Sequence, residues 1–189
     1  ILGSHVPFLF SVDRAWTSQT IIPLFDWSRP LHASGVWHGF LTWGQWNPAL
    51  FDEMLPYTLQ SCEHLDSELK KEKESFSGRL ASVAAHLQGD PWHDAGWLFV
   101  FVKMADTEAR SRWASHFGAF LEGLSEEHVA AIWNAWLRDY WTDRTTGVPR
   151  PLDAEERQGM MMWLVALRPH FDEALPLIAL TAPEKADHY

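Results

Sequence analysis

The chain of 189 residues holds one cysteine, Cys62. That excludes an internal disulfide and any cysteine-based zinc cluster, and it fits a reducing compartment. Long apolar runs are also missing. None approaches the ~18 residues a membrane span needs, and no basic stretch followed by an apolar core opens the sequence. A cytoplasmic location is therefore expected. Basic charge is scarce, with 15 Lys and Arg against 25 Asp and Glu and a formal net charge of −10. Such a surface repels phosphate backbones and anionic lipid, so neither a nucleic acid nor a membrane is expected as partner. The one basic cluster, Lys70, Lys71 and Lys73, is diluted by Glu68, Glu72 and Glu74. The sequence contains no GxSxG, no Gly-rich phosphate loop, no HExxH or HxxxH and no Cys/His zinc spacing, so no catalytic or metal residue is assigned.

What the chain does have is tryptophan, 12 residues of it, in a composition that is 47% apolar. Large indoles fill space between helices, and they also anchor binding surfaces. Position decides between the two. Trp113, Phe117, Phe120, Leu121 and Leu124 fall on one stripe of a helix, as do Val129, Ile132, Trp133, Trp136, Leu137 and Tyr140. Leu69, Phe76, Leu80, Val83 and Leu87 make a narrower stripe on a long helix that opens with the charge run LKKEKE, read as a solvated face. The apolar runs VPFLFSV and WLFVFV are short enough for strands, but a lone strand would have no ladder partner, so both are assigned to helices.

Boundary residues agree. Asn47-Pro48 reads as a cap followed by proline at the first helical position, Ser125 caps Glu126 and Glu127, and Asp153 with Glu156 resembles a capping box. Gly89 and Gly147, each followed by proline, close the helices before them. The resulting fold class is all-α. A helix or two at the N-terminus precedes about four helical hairpins near 30–44 and 48–60, 66–88 and 94–105, 107–123 and 126–145, and 154–168 and 170–181. Their spacing suits a HEAT- or armadillo-like repeat array, taken as a single domain over 1–189. The string FDEMLP at 51–56 recurs as FDEALP at 171–176, with Gly39 and Trp43 matching Gly159 and Trp163 at the same offset. Equivalent positions would bury both Phe51 and Phe171.

Candidate chemistry is thin. The acid–histidine groupings are His64 with Asp66, His93 with Asp94, and His170 with Asp172 and Glu173, none with metal-site spacing. Cys62 reads as a buried, inert thiol. Carboxylates such as Asp52 and Glu53 complement a helix N-terminus. Trp27, Trp46 and Trp92 fall in predicted connections, where an indole either closes the core or docks a partner, with His93 and Asp94 adding polar contacts in the second case. A small hydrolase using a His93/Asp94 pair is the alternative. Because the sequence begins Ile1-Leu2-Gly3, it is expected to be a piece of a longer polypeptide.

The runs VPFLFSVDRAWTSQTIIPLFDW, VWHGFLTWGQWNPALFDEMLP and WLRDYWTDRTTGVPRPLDAEE resemble an uncharacterised Trp-rich helical domain of bacteria. That domain lies near the C-terminus of long proteins that begin with a sirtuin-like, NAD-binding domain, many of them associated with antiphage defence. The resemblance spans nearly the whole chain and brings no catalytic residues with it. It implies a non-catalytic interaction or regulatory module without a cofactor of its own. NAD would belong only to the longer protein, and the partners would be other domains of that protein or a protein trigger.

Overall fold

The computed structural model describes residues 2–86 and 89–181. Among these residues it is all-helical, with no strand. The α-helices are α1 (Val6–Val12), α2 (Arg14–Thr20), α3 (Pro30–Trp43), α4 (Pro48–Ser61), α5 (Lys73–His86), α6 (Trp97–Met104), α7 (Thr107–Glu122), α8 (Glu126–Ile132), α9 (Arg138–Thr145), α10 (Ala154–Met161) and α11 (Phe171–Thr181). Short 3-10 turns sit between several of them, and a π-helical turn, Trp133–Leu137, joins α8 to α9. Among the described residues no helix is long and apolar enough to cross a membrane. Contacts within the expected span 1–189 gather into two compact units, residues 1–79 with 104–106, and residues 80–103 with 107–189.

The first unit forms around a T-shaped aromatic cluster. Phe25 lies 4.8 Å from Trp37 and 5.7 Å from Phe40, and Trp37 lies 6.2 Å from Phe76. Asp13 breaks α1 with an extended backbone and caps α2 by accepting from the Trp16 amide at 2.9 Å. Asn47 caps α4 as predicted, accepting from the Leu50 amide with Pro48 next in line. Arg79 reaches from α5 to the carbonyls of Leu41 and Gly44, satisfying the open C-terminal end of α3. The charge run departs from its expected form. Residues 65–72 are turns, α5 starts at Lys73, and Lys73 is buried, with its ammonium 2.6 Å from Asp66 and 3.0 Å from Asp106. A buried ammonium needs carboxylates, and a straight helix from 66 would not wrap Asp66 around it.

In the second unit the closest pairing is α7 with α10, helices assigned by sequence to different hairpins. Gly159 permits it, since a Cβ there would stand 2.9 Å from the Ala114 Cβ and 3.1 Å from the Ser111 carbonyl. Trp163 follows into the gap and donates its indole N–H to the Ala114 carbonyl at 2.7 Å. Trp113, Phe117, Tyr140 and Trp141 surround it and Trp136 packs on Phe117 and Tyr140, so residues of both predicted stripes meet in this core. The π-turn adds a residue inside the second stripe while Trp133, Trp136 and Leu137 all stay buried. Gly89 and Gly147 have φ of +121° and +87°, the left-handed helix ends expected of them.

The expected capping box is absent. Asp153 does stand at the N-cap of α10, yet it makes no capping bond. Its carboxylate instead accepts from Thr107 at 2.9 Å and from Arg110. Glu156 is fully buried and accepts from Arg110 Nε at 2.8 Å and from Arg144 Nε and Nη2 at 3.0 Å each. Two buried guanidiniums outcompete one backbone amide for these carboxylates, because an unpaired buried charge costs far more than an open helix end.

The two related strings are not equivalent positions. Phe51 is buried, packed on Trp46, whereas Phe171 is 46% exposed; likewise Trp43 is exposed and Trp163 buried. Other positions do match: Gly39 and Gly159 are buried, as are Met54 and Ala174, and Asp52 and Asp172 are both exposed. Helix order and spacing agree with a hairpin array, and the recurring string does not add to that agreement.

Phe51→Ala should therefore cost about 3–5 kcal/mol in urea unfolding, and Phe171→Ala under about 1 kcal/mol. Glu156→Ala, which strands two buried cations, should cost about 3–5 kcal/mol in the same measurement.

Candidate functional site

Of the connection tryptophans, two lie inside the fold. Trp27 is 7% exposed, donates to the Ser61 hydroxyl at 2.8 Å and stacks on His64 at 3.9 Å. Trp92 is 2% exposed, donates to Asp143 Oδ2 at 2.8 Å and packs on Tyr140 and Phe99. Trp46 is half-buried between Phe40 and Phe51. An interface anchor has to present its ring, and Trp27 and Trp92 do not. They close the core of their respective units, each with a partner for its indole N–H.

His93 and Asp94 are exposed, but they do not form a pair. His93 lies between two other carboxylates, with Nδ1 on Asp90 of its own loop and Nε2 3.2 Å from Asp139 on α9. The loop Gly89–Gly96 is built around Asp90, whose Oδ1 accepts the amides of Trp92 at 2.8 Å and His93 at 3.0 Å. Partial burial disfavours the Asp90 charge, but those amides and the His93 ring outweigh it and hold the carboxyl below its usual range. The hydrogen bond that His93 donates to Asp90, aided by the charges of Asp90 and Asp139, raises His93 above the usual imidazole value. Asp94 and Ala95 follow with φ of 53° and 56°, left-handed positions occupied by residues other than glycine. Asp90 was visible as an acidic neighbour three residues before His93. Asp139 was not, because only the fold carries α9 there.

The other groupings also resolve into internal pairs. His64 meets Glu68 at 2.9 Å rather than Asp66, and Ser67 donates to the same carboxylate. These two hydrogen bonds lower Glu68 to about 2. His38 pairs with Glu72 at 2.5 Å beside an open cleft of about 550 Å³ lined also by Ser34, Lys70 and Lys71. His170 stacks on Trp133 with Glu173 at 3.8 Å. Among the described residues no group of three or more His, Cys, Asp or Glu converges as a metal site would. Burial pushes the Cys62 thiol up to about 12, which removes it as a nucleophile. A second groove, about 510 Å³, runs along α8 and the π-turn, lined by Gly89, Ser125, His128, Ile132 and Trp136.

Fold and side chains together define an all-helical protein whose ionisable groups are largely engaged with one another. A family model described as Domain of unknown function (DUF4020) matches residues 86–186, more than half of the chain, and the chain belongs to that family. No curated protein and no solved structure matches it.

Trp92→Phe keeps a ring but loses the bond to Asp143 and should cost about 1–2 kcal/mol; Trp92→Ala should cost about 3–5 kcal/mol. Both should appear as lowered thermal midpoints, with partner affinity per folded molecule unchanged.

Proposed function

We propose that this chain is a non-catalytic helical interaction and regulatory module of a larger bacterial protein. In this reading it controls a sirtuin-like, NAD-consuming effector of antiphage defence by docking on that effector's domain. The sequence resemblance supplies the context. The observation that carries docking is exposure: Phe8 and Val12, one turn apart on α1, are 65% and 68% exposed. Large apolar side chains adjacent on one helix face mark contact surfaces more often than isolated ones do. The module holds no cofactor of its own, and NAD is bound and cleaved elsewhere in the longer protein. Neither nucleic acid nor membrane is a partner, in keeping with the acidic balance of the chain.

The non-catalytic part of the reading draws on the side chains themselves. Both nitrogens of His93 face carboxylates, and Asp94 is not its partner, so the hydrolase alternative has no observation in its favour.

Assaying NAD turnover by the longer protein with and without this segment tests the proposal. Removing the segment should change turnover, and Phe8→Asp should reproduce part of that change while circular dichroism stays native. A docked anchor lost in this way should weaken the contact by about 2 kcal/mol, roughly thirtyfold. NAD turnover by the purified segment alone would overturn the assignment. Unchanged turnover on removal would redirect docking to a separate protein trigger.

A further inference from the structure

We propose that the loop Gly89–Gly96 carries a pH-sensitive latch, in which the His93 imidazolium bridges Asp90 of the loop and Asp139 of α9 and loss of its proton frees the His93 end of the loop from the helix while Trp92 stays seated on Asp143. The bridge spans two segments within one compact unit, and both ring nitrogens are used, Nδ1 on Asp90 and Nε2 3.2 Å from Asp139. An imidazole donates from both nitrogens only when it is protonated. Neutral His93 must therefore give up one of the two carboxylates, and a lone pair would then face a charge. Release has a restoring force, because Asp94 and Ala95 are held at positive φ, a conformation that residues bearing a Cβ adopt reluctantly.

The charges around His93 all bear on the same switch. Asp90 and Asp94 lie on its own loop, and Asp139 on α9 is itself 3.5 Å from Arg138. Asp143, also on α9, takes the indole N–H of Trp92, so a second contact from the same loop rests on the same helix. Gly89, where the loop begins, borders the groove along α8 and the π-turn. The folded value of His93 lies above the ordinary 6.5, so the bridge is complete below that pH and is lost as the pH rises through the raised value. Asp90 lies below its ordinary 3.8, so its side of the bridge persists in mild acid and fails only as the pH falls through that lowered value.

Two nuclear magnetic resonance measurements on the chain test this. The first is the titration of His93 by its ring proton shifts. The second is hydrogen exchange of the Trp92 and His93 amides at about pH 5.5 and about pH 8.5, corrected for intrinsic base catalysis. The midpoint should lie above 6.5, and protection of the two amides should drop by about tenfold for each unit of that elevation. The Trp141 indole N–H, bonded to Thr181, serves as the control and should not change. His93→Gln should leave both amides weakly protected at either pH, and Asp139→Asn should lower the His93 midpoint. A midpoint at or below 6.5, or equal corrected protection at both pH values in the unaltered chain, would overturn the latch.

Discussion

The buried Arg110–Glu156–Arg144 triad is the constraint on which the second unit depends. Three charges with side chains at most 1% exposed come from α7, α10 and α9. Each must find its partner or lose several kcal/mol of desolvation. Arg144 also donates to the carbonyls of Val148 at 2.9 Å and Arg150 at 2.5 Å. The loop after α9, which has no regular structure, thereby has its backbone groups satisfied by a side chain. Asp153 supplies the second negative charge through Arg110, so the cluster is balanced. Hydrophobic residues of equal volume could match its stability, but they would not fix which carbonyls and which helix ends meet. The orientation of α10 on α7, and with it the placement of Trp163, follows from that pairing.

In each unit the tryptophans raise a second problem. An indole contributes a large apolar area and one N–H that favours an acceptor when buried; Trp46 and Trp113 go without one, while most of the others find one. Trp37 uses the Phe25 carbonyl, Trp163 the Ala114 carbonyl, Trp141 the Thr181 hydroxyl, and Trp92 and Trp133 the carboxylates of Asp143 and Glu173. Backbone carbonyls, a hydroxyl and acidic residues thus serve as acceptors for the core. The acidic excess of the composition has part of its explanation here, since several Asp and Glu residues are directed inward at Trp, Arg, Lys or His.

This inward use of charge bears on function. A catalytic group needs a free lone pair or proton aimed at substrate, and the histidines nearest to carboxylates are already engaged. What the surface offers instead is apolar side chains on short helices and an exposed histidine that joins a loop to α9. Both properties are compatible with the interaction module proposed above. Fold alone does not separate docking from catalysis, since helical folds host both.

Much of the architecture was legible in the sequence because helix formation is local. Periodic apolar stripes placed α7, α8 and α9; Ser125 and Gly147 marked the start of α8 and the end of α9, and Asn47 the start of α4, through backbone geometry that each residue imposes on its neighbours. The lone thiol was rightly read as buried. Partner choice was not legible. Asp153 and Glu156 have capping-box spacing, yet two arginines distant in sequence claim them. Lys73 sits in a run that reads as solvated, yet Asp66 and Asp106 enclose it. FDEMLP and FDEALP are nearly the same string, but one phenylalanine meets Trp46 and the other meets water. His93 had its neighbour Asp94 in sequence, but its partners are Asp90, three residues before it, and Asp139 on α9. The sequence by itself determined where the chain turns helical and which faces are apolar, since these depend on residues within a turn or two. Only the tertiary structure decided which charges pair and which indoles are covered, because both are settled by what the rest of the fold brings within about 3 Å.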